Sequence, residues 1–131
     1  MEQENSKTEI LILDDEPIVG ERLKMSLEHA GYTVESFSSS REAIDRLKDK
    51  CYDILVTDLK MSGPDGIEVL QIAKQFCPEI KAVVITGFAT KETAEKAKKS
   101  GAVEFIAKPF KMSQLRNLLA ALSGKGEHID E

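Results

Sequence analysis

Five short apolar runs punctuate the chain, and between them the hydrophobic spacing changes to a helical period. The runs are Ile10–Leu13, Thr33–Phe37, Ile54–Thr57, Ala82–Ile85 and Val103–Ile106. The first, third and fourth are almost wholly apolar, as strands covered on both faces must be. The second alternates and reads as an edge strand. Between the runs, Val19, Leu23, Leu27 and Ala30 share a helical stripe, and so do Ala43, Ile44 and Leu47. Ile67, Leu70, Ala73 and Lys74 form a face ending in a charge, and Leu115, Leu118, Leu119 and Leu122 give the clearest stripe. Lys91–Ser100 has only Ala94 and Ala97 as apolar contacts, so it is expected to be the weakest and most mobile helix. Pro17 suits a first helical position, Ser39-x-x-Glu42 and Asp65-x-x-Glu68 read as capping boxes, and Gly31 and Gly101 suit helix C-termini. Strand and helix alternating five times predict an α/β fold, with a parallel sheet and helices on both faces.

The chain of 131 residues is the size of one domain. That domain is expected over residues 9–122, between flexible ends at 1–8 and 123–131. Eighteen Lys plus Arg against 23 Asp plus Glu give a net charge of −5, which argues against general nucleic-acid binding. No apolar run approaches the roughly 20 residues of a membrane span. The acidic N-terminus is unlike a secretory signal. Cys51 and Cys77 have neither CxxC spacing nor nearby His, so metal binding and a disulfide scaffold are both disfavoured, and a cytoplasmic, reducing location fits. His29 and His128 read as exposed and are not spaced for metal.

Ligands of an open parallel sheet bind beyond the carboxyl ends of its strands. Asp14 and Asp15 directly follow the first run, and Asp58 directly follows the third. If those strands are neighbours, three carboxylates converge. A single strand-end Asp is most often ordinary surface polarity, but three after buried strands are harder to dismiss. At ~5 Å and an effective dielectric of ~20, each like-charged pair costs on the order of 3 kcal/mol. A hard divalent cation such as Mg²⁺ is the natural partner. Thr86 ends the fourth run and Lys108 follows the fifth, just before Pro109. A hydroxyl and an ammonium facing a metal-bound carboxylate are the groups needed to hold a phosphoryl oxygen.

These residues match a pattern. From about Glu9 to Leu122 the sequence resembles the receiver domain of bacterial two-component response regulators. The segments that carry the resemblance are Ile12-Leu13-Asp14-Asp15-Glu16, Val56-Thr57-Asp58-Leu59-Lys60-Met61, Asp65-Gly66, Ile85-Thr86-Gly87, and Gly101-Ala102 with Phe105-Ile106-Ala107-Lys108-Pro109-Phe110. The resemblance implies a flavodoxin-like, doubly wound sheet of five strands in the order 2-1-3-4-5 with five helices. It implies that Asp58 takes a phosphoryl group from a phosphohistidine on a histidine kinase or histidine phosphotransfer protein. Asp15, Asp58 and the backbone carbonyl of Lys60 would bind Mg²⁺, with Asp14 acting mainly through water. Thr86 would donate its hydroxyl to the phosphoryl group, Lys108 would pair with it, and the Lys108–Pro109 bond would be cis. Thr86 and Phe105 would form the switch, remodelling the fourth helix, fifth strand and fifth helix for a downstream protein partner.

The departures are few. Met61 is followed by Ser62-Gly63-Pro64, where many relatives have Pro at once. Phe105 stands where many have Tyr, and is read equally well as plain core. Lys60 and Phe88 occupy the two positions that, in the family this chain resembles, tune how fast the phosphoryl is lost, and a bulky Phe88 would shield the site from water. A flavodoxin would need a Ser, Thr and Gly loop where this chain has Asp14-Asp15-Glu16-Pro17, and a haloacid-dehalogenase phosphatase an acid where it has Lys60. A degenerate receiver would lack a site residue, and none is lacking. The nine residues after Leu122 are too few to be expected to hold a helix-turn-helix or catalytic segment. The chain is therefore expected to act by docking, as a monomer or as a dimer on phosphorylation, or else to be the excised receiver of a longer regulator with a DNA-binding or ATPase domain.

Overall fold

The computed structural model describes residues 7–123. The ends expected to be flexible, and His128, lie almost wholly outside those residues. Strands β1 (Glu9–Leu13), β2 (Thr33–Phe37), β3 (Ile54–Asp58), β4 (Lys81–Thr86) and β5 (Ala102–Ala107) alternate with helices α1 (Pro17–His29), α2 (Ser40–Asp49), α3 (Gly66–Phe76), α4 (Lys91–Lys99) and α5 (Met112–Ser123). All neighbouring strands pair in parallel, in the order β2-β1-β3-β4-β5. The alternating β2 is indeed at an edge. This is the doubly wound α/β fold that the alternation predicts.

The two-residue period of the strands sorts their side chains into two cores. Ile10, Ile12, Val56 and Ile85 pack with Leu23 and Leu27 of α1 and with Leu115 and Leu119 of α5. Leu11, Leu13, Leu55 and Ala82 face the other way, onto Ala43 and Leu47 of α2 and Leu70 and Ala73 of α3. Each fully buried Leu or Ile contributes roughly 1.5–3 kcal/mol of burial. A smaller cluster of Leu59, Ile67, Val84 and Ala97 sits beneath α4, whose one buried residue is Ala97. The spare apolar face read from the sequence of α4 is thus what the structure contains.

The punctuation holds with two adjustments. Pro17 opens α1, and Gly31 and Gly101 take positive φ of 103° and 111°. Asp65 and Glu68 form a complete capping box, but at Ser39 only the side chain's bond from the Glu42 N–H forms. A capping box at Thr90 and Thr93 was not anticipated, because Thr at its third position is an unusual partner. Ala30 lies beyond α1 as an exposed cap, so the stripe of that helix ends at Leu27.

The expectation of unpaired cysteines is overturned. Cys51 and Cys77 form a disulfide, with Cα atoms 5.7 Å apart across a sequence separation of 26. Cys51 lies in the turn that enters β3, and Cys77 caps the C-terminus of α3, which runs back antiparallel to that strand. The two residues therefore meet at one pole, which no local spacing reveals. The reducing location inferred from free thiols loses its basis. Next to Cys51, Arg46 donates from Nε and Nη2 to the two carboxylate oxygens of Glu35 at 2.9 and 3.0 Å. The Tyr52 hydroxyl donates to the same carboxylate. The Arg46 bonds, with help from Tyr52, hold the Glu35 carboxyl down to about 2 despite partial burial.

Candidate functional site

Because β1 and β3 are neighbours with Leu13 opposite Thr57, the next residues, Asp14 and Asp58, lie side by side at the carboxyl edge of the sheet. Lys108 directly follows β5, its bond to Pro109 is cis, and its backbone N–H donates to the Thr86 carbonyl at 2.9 Å. Its ammonium donates to Asp14 Oδ2 at 3.1 Å and to Asp58 Oδ2 at 2.9 Å. The side chains of Asp14 and Asp58 are only 5% and 12% exposed, and that of Lys108 is 27% exposed. Asp14 Oδ1 accepts from the Glu16 N–H at 2.9 Å, and Asp58 Oδ1 from the Lys60 N–H at 3.4 Å. Each of the four carboxylate oxygens therefore faces one N–H donor. Burial alone would lower the Lys108 pKa, but its bonds to Asp58 and Asp14 outweigh that and raise it. Two carboxylates share one full positive charge, so the buried cluster remains net negative.

Asp15 is exposed, beside the cluster in sequence and not bonded into it. Three converging carboxylates were expected, but the contacts join two acids and a lysine. Among the described residues, no three His, Cys, Asp or Glu side chains group so as to hold a metal ion. The physical reason is local: of the two neighbouring acids after β1, Asp14 is buried against Lys108 and Asp15 is exposed. The donor set remains one of hard oxygens with surplus negative charge, which fits Mg²⁺ and not a soft metal.

The loop after β3 is set by backbone packing. The Gly66 N–H donates to the Leu59 carbonyl at 2.8 Å. A Cβ at Gly66 would lie 2.1 Å from the Asp58 carbonyl oxygen, so only glycine lets α3 start this close to the acid. Ser40 Oγ ties the same loop to α2 through the Ser62 carbonyl at 3.1 Å. Thr57 is wholly buried and donates to the Asp58 carbonyl at 2.9 Å. Gly66 and Thr57 were noticed only within motifs, and Ser40 not at all, because their partners are backbone atoms that no side-chain pattern marks.

Thr86 is wholly buried, and its hydroxyl accepts from the Phe88 N–H at 3.0 Å. Phe105 is partly buried against Leu59, Ile67, Val84 and Ala97, between β5 and α4. Phe88 is 56% exposed, and the Lys60 ammonium sits 4.9 Å from its ring centroid. That contact bridges the loops after β3 and β4. His29 is exposed. No helix among the described residues is long and apolar enough to cross a membrane.

A family model for the response regulator receiver domain matches residues 10–120. The transcriptional regulatory protein ZraR of Klebsiella oxytoca is 31% identical over 114 residues, which are 87% of this chain and 26% of that protein. The chain thus spans about a quarter of the length of such curated relatives. A response regulator from Burkholderia pseudomallei, solved with a phosphorylated aspartic acid, a calcium ion and citrate, superposes with a TM-score of 0.80. It is 26% identical, over 95% of this chain and 71% of that one. The beryllofluoride-activated NtrC4 receiver domain dimer is 33% identical with a TM-score of 0.78, over 92% and 97% of the two chains. The fold, the paired acids at the sheet's rim and these matches agree: the chain belongs to the response regulator receiver family, phosphoacceptor domains of two-component signalling rather than classical enzymes.

Proposed function

We propose that Asp58 is the phosphoacceptor of this receiver. The observation that carries the proposal is the setting of its carboxylate, at the end of a central strand, 12% exposed and in contact with the Lys108 ammonium. An Asp58 oxygen attacks the phosphorus of a phosphohistidine, the P–N bond breaks, and the imidazole of the donor leaves. The donor is a histidine kinase or a histidine phosphotransfer protein. Asp14, Asp15, Asp58 and the Lys60 carbonyl would hold Mg²⁺, which when bound neutralises charge developing on the phosphoryl oxygens. Lys108 turns from the two carboxylates to the new phosphoryl group, and Thr86 gives up the Phe88 N–H to donate its hydroxyl there. Phe105 follows Thr86, and the face of α4, β5 and α5 changes for a protein partner.

The share of the relatives that the chain spans supports a second reading, an N-terminal receiver that governs a DNA-binding or ATPase output domain. ZraR is named as a transcriptional regulator, and the NtrC4 receiver as a dimer when activated. Dimerisation on phosphorylation is the form of output that the NtrC4 receiver favours for this chain.

Beryllofluoride titrated into the protein with Mg²⁺ tests the acceptor. The wild type is expected to gain several degrees in Tm, and Asp58→Asn to gain none. An equal gain in the variant places the acceptor elsewhere. The Lys60–Phe88 contact supports a slow loss of phosphate, because a ring held beside the site would hinder attacking water. A half-life of seconds in purified protein with Mg²⁺ would contradict that part.

A further inference from the structure

At the pole of the sheet opposite Asp58 lies a cleft of about 810 Å³, whose walls include Lys7, Cys51, Phe76, Cys77, Pro78 and Lys81. Phosphoryl transfer uses none of it. The Cys51–Cys77 disulfide forms part of the wall, and its two halves differ sharply in access. Cys51 is exposed, whereas Cys77 is 4% exposed. Phe76, beside the bond, is 45% exposed and gives the cleft an apolar edge. Lys7 and Lys81 line the same cleft together with Asp53 and Glu79, so its charges balance and access rather than charge governs the approach of a thiolate.

We propose that Cys51–Cys77 is a reversible thiol–disulfide exchange site, opened by an external dithiol that docks in this cleft. The difference in access sets the direction of attack. The incoming thiolate forms a bond to Cys51 Sγ, the bond to Cys77 breaks, and Cys77 leaves as a thiolate. Cys77 sits buried at the C-terminal end of α3, where a negative charge is disfavoured, so it takes up the proton that the attacking thiol lost. The second thiol of the reductant then attacks the reductant's own sulfur in the mixed disulfide and releases Cys51 as a thiol. The protein gains two electrons and two protons, and the dithiol becomes a disulfide.

The bond closes a span that contains β3, the loop after Asp58 and all of α3. Opening it does not unravel the region, because contacts on both sides of Cys51 remain. The Lys50 ammonium pairs with Glu9 at 2.9 Å, and the Tyr52 hydroxyl is bound to Glu35. The reduced protein is therefore folded but less stable, with the last turn of α3 and Phe76 released from the strand entrance. This device stands apart from the phosphoacceptor reading and would survive its failure.

Dithiothreitol without denaturant, followed by alkylation and mass spectrometry of the full chain, tests the proposal. The oxidised protein is expected to carry no alkylatable thiol, and the treated protein two, with Tm lower by roughly 10 °C. Cys77→Ser should leave Cys51 rapidly alkylated in the folded state, and Cys51→Ser should leave Cys77 roughly tenfold slower or more. Two free thiols persisting in the presence of oxidant would overturn the proposal. So would a bond that opens only in denaturant, or equal alkylation of the two variants.

Discussion

Lys108 neutralises part of a charge pair that would otherwise repel across the sheet's rim. Its ammonium is within 3.1 Å of one carboxylate oxygen on Asp14 and one on Asp58. Removing one partner of a largely buried ionic cluster leaves uncompensated charge, which usually costs more than the intact cluster stabilises. Lys108→Met is therefore expected to lower stability by about 2 kcal/mol in EDTA, less than for a fully buried pair because the lysine is partly exposed. Urea unfolding with and without Mg²⁺ checks this, and Mg²⁺ should recover much of the loss. A variant as stable as the wild type in EDTA would show that the two acids do not strain each other. Glu35 gives a second test. Its folded pKa of about 2 lies below the ordinary 4.5, so its contribution is fully present above about pH 4.5 and fades as pH falls towards 2. The effect is modest, since Glu35 and Arg46 are each more than a third exposed. The Tm of Glu35→Gln should depend less on pH than that of the wild type across that window.

At the scale of elements, β3 and α3 frame Asp58 and its loop, and a single backbone approach sets their junction. Gly66→Ala would place a methyl group 2.1 Å from the Asp58 carbonyl oxygen, and backbone cannot yield as a flexible side chain can. We expect a loss of about 2 kcal/mol or more, by urea unfolding, together with weaker binding of beryllofluoride. Wild-type values in both would mean that the loop moves aside freely. The elements themselves were legible because their signals are local. A continuous apolar run such as Ile10–Leu13 has to be covered on both faces, and Asp65 three residues before Glu68 has to cap a helix. Gly66's crowding and the Ser40–Ser62 tether were not legible, because they arise only when distant backbone segments pack.

At the scale of the molecule, the doubly wound order brings Asp14, Asp58 and Lys108 together from the ends of three strands while separating them from the disulfide pole. The three residues were legible by type and strand-end position. Their pairing depended on β1 and β3 being neighbours, which the alternation alone did not settle. The cysteines were misread because two residues 26 apart give no sign that a strand and its returning helix place them at one pole. In the proposed function, the switch through Thr86 and Phe105 would act only once a phosphoryl group is present. Here Thr86 is turned to the Phe88 N–H, and Lys108 to the acids. The direct measurement is covalent labelling. Wild-type protein incubated with acetyl phosphate and Mg²⁺, then digested and mapped by mass spectrometry, should carry one acid-stable, base-labile phosphoryl group on the peptide containing Asp58. Asp58→Asn should carry none, and a label on any other residue, or a wild type that takes none from any phosphoryl donor, would contradict the account.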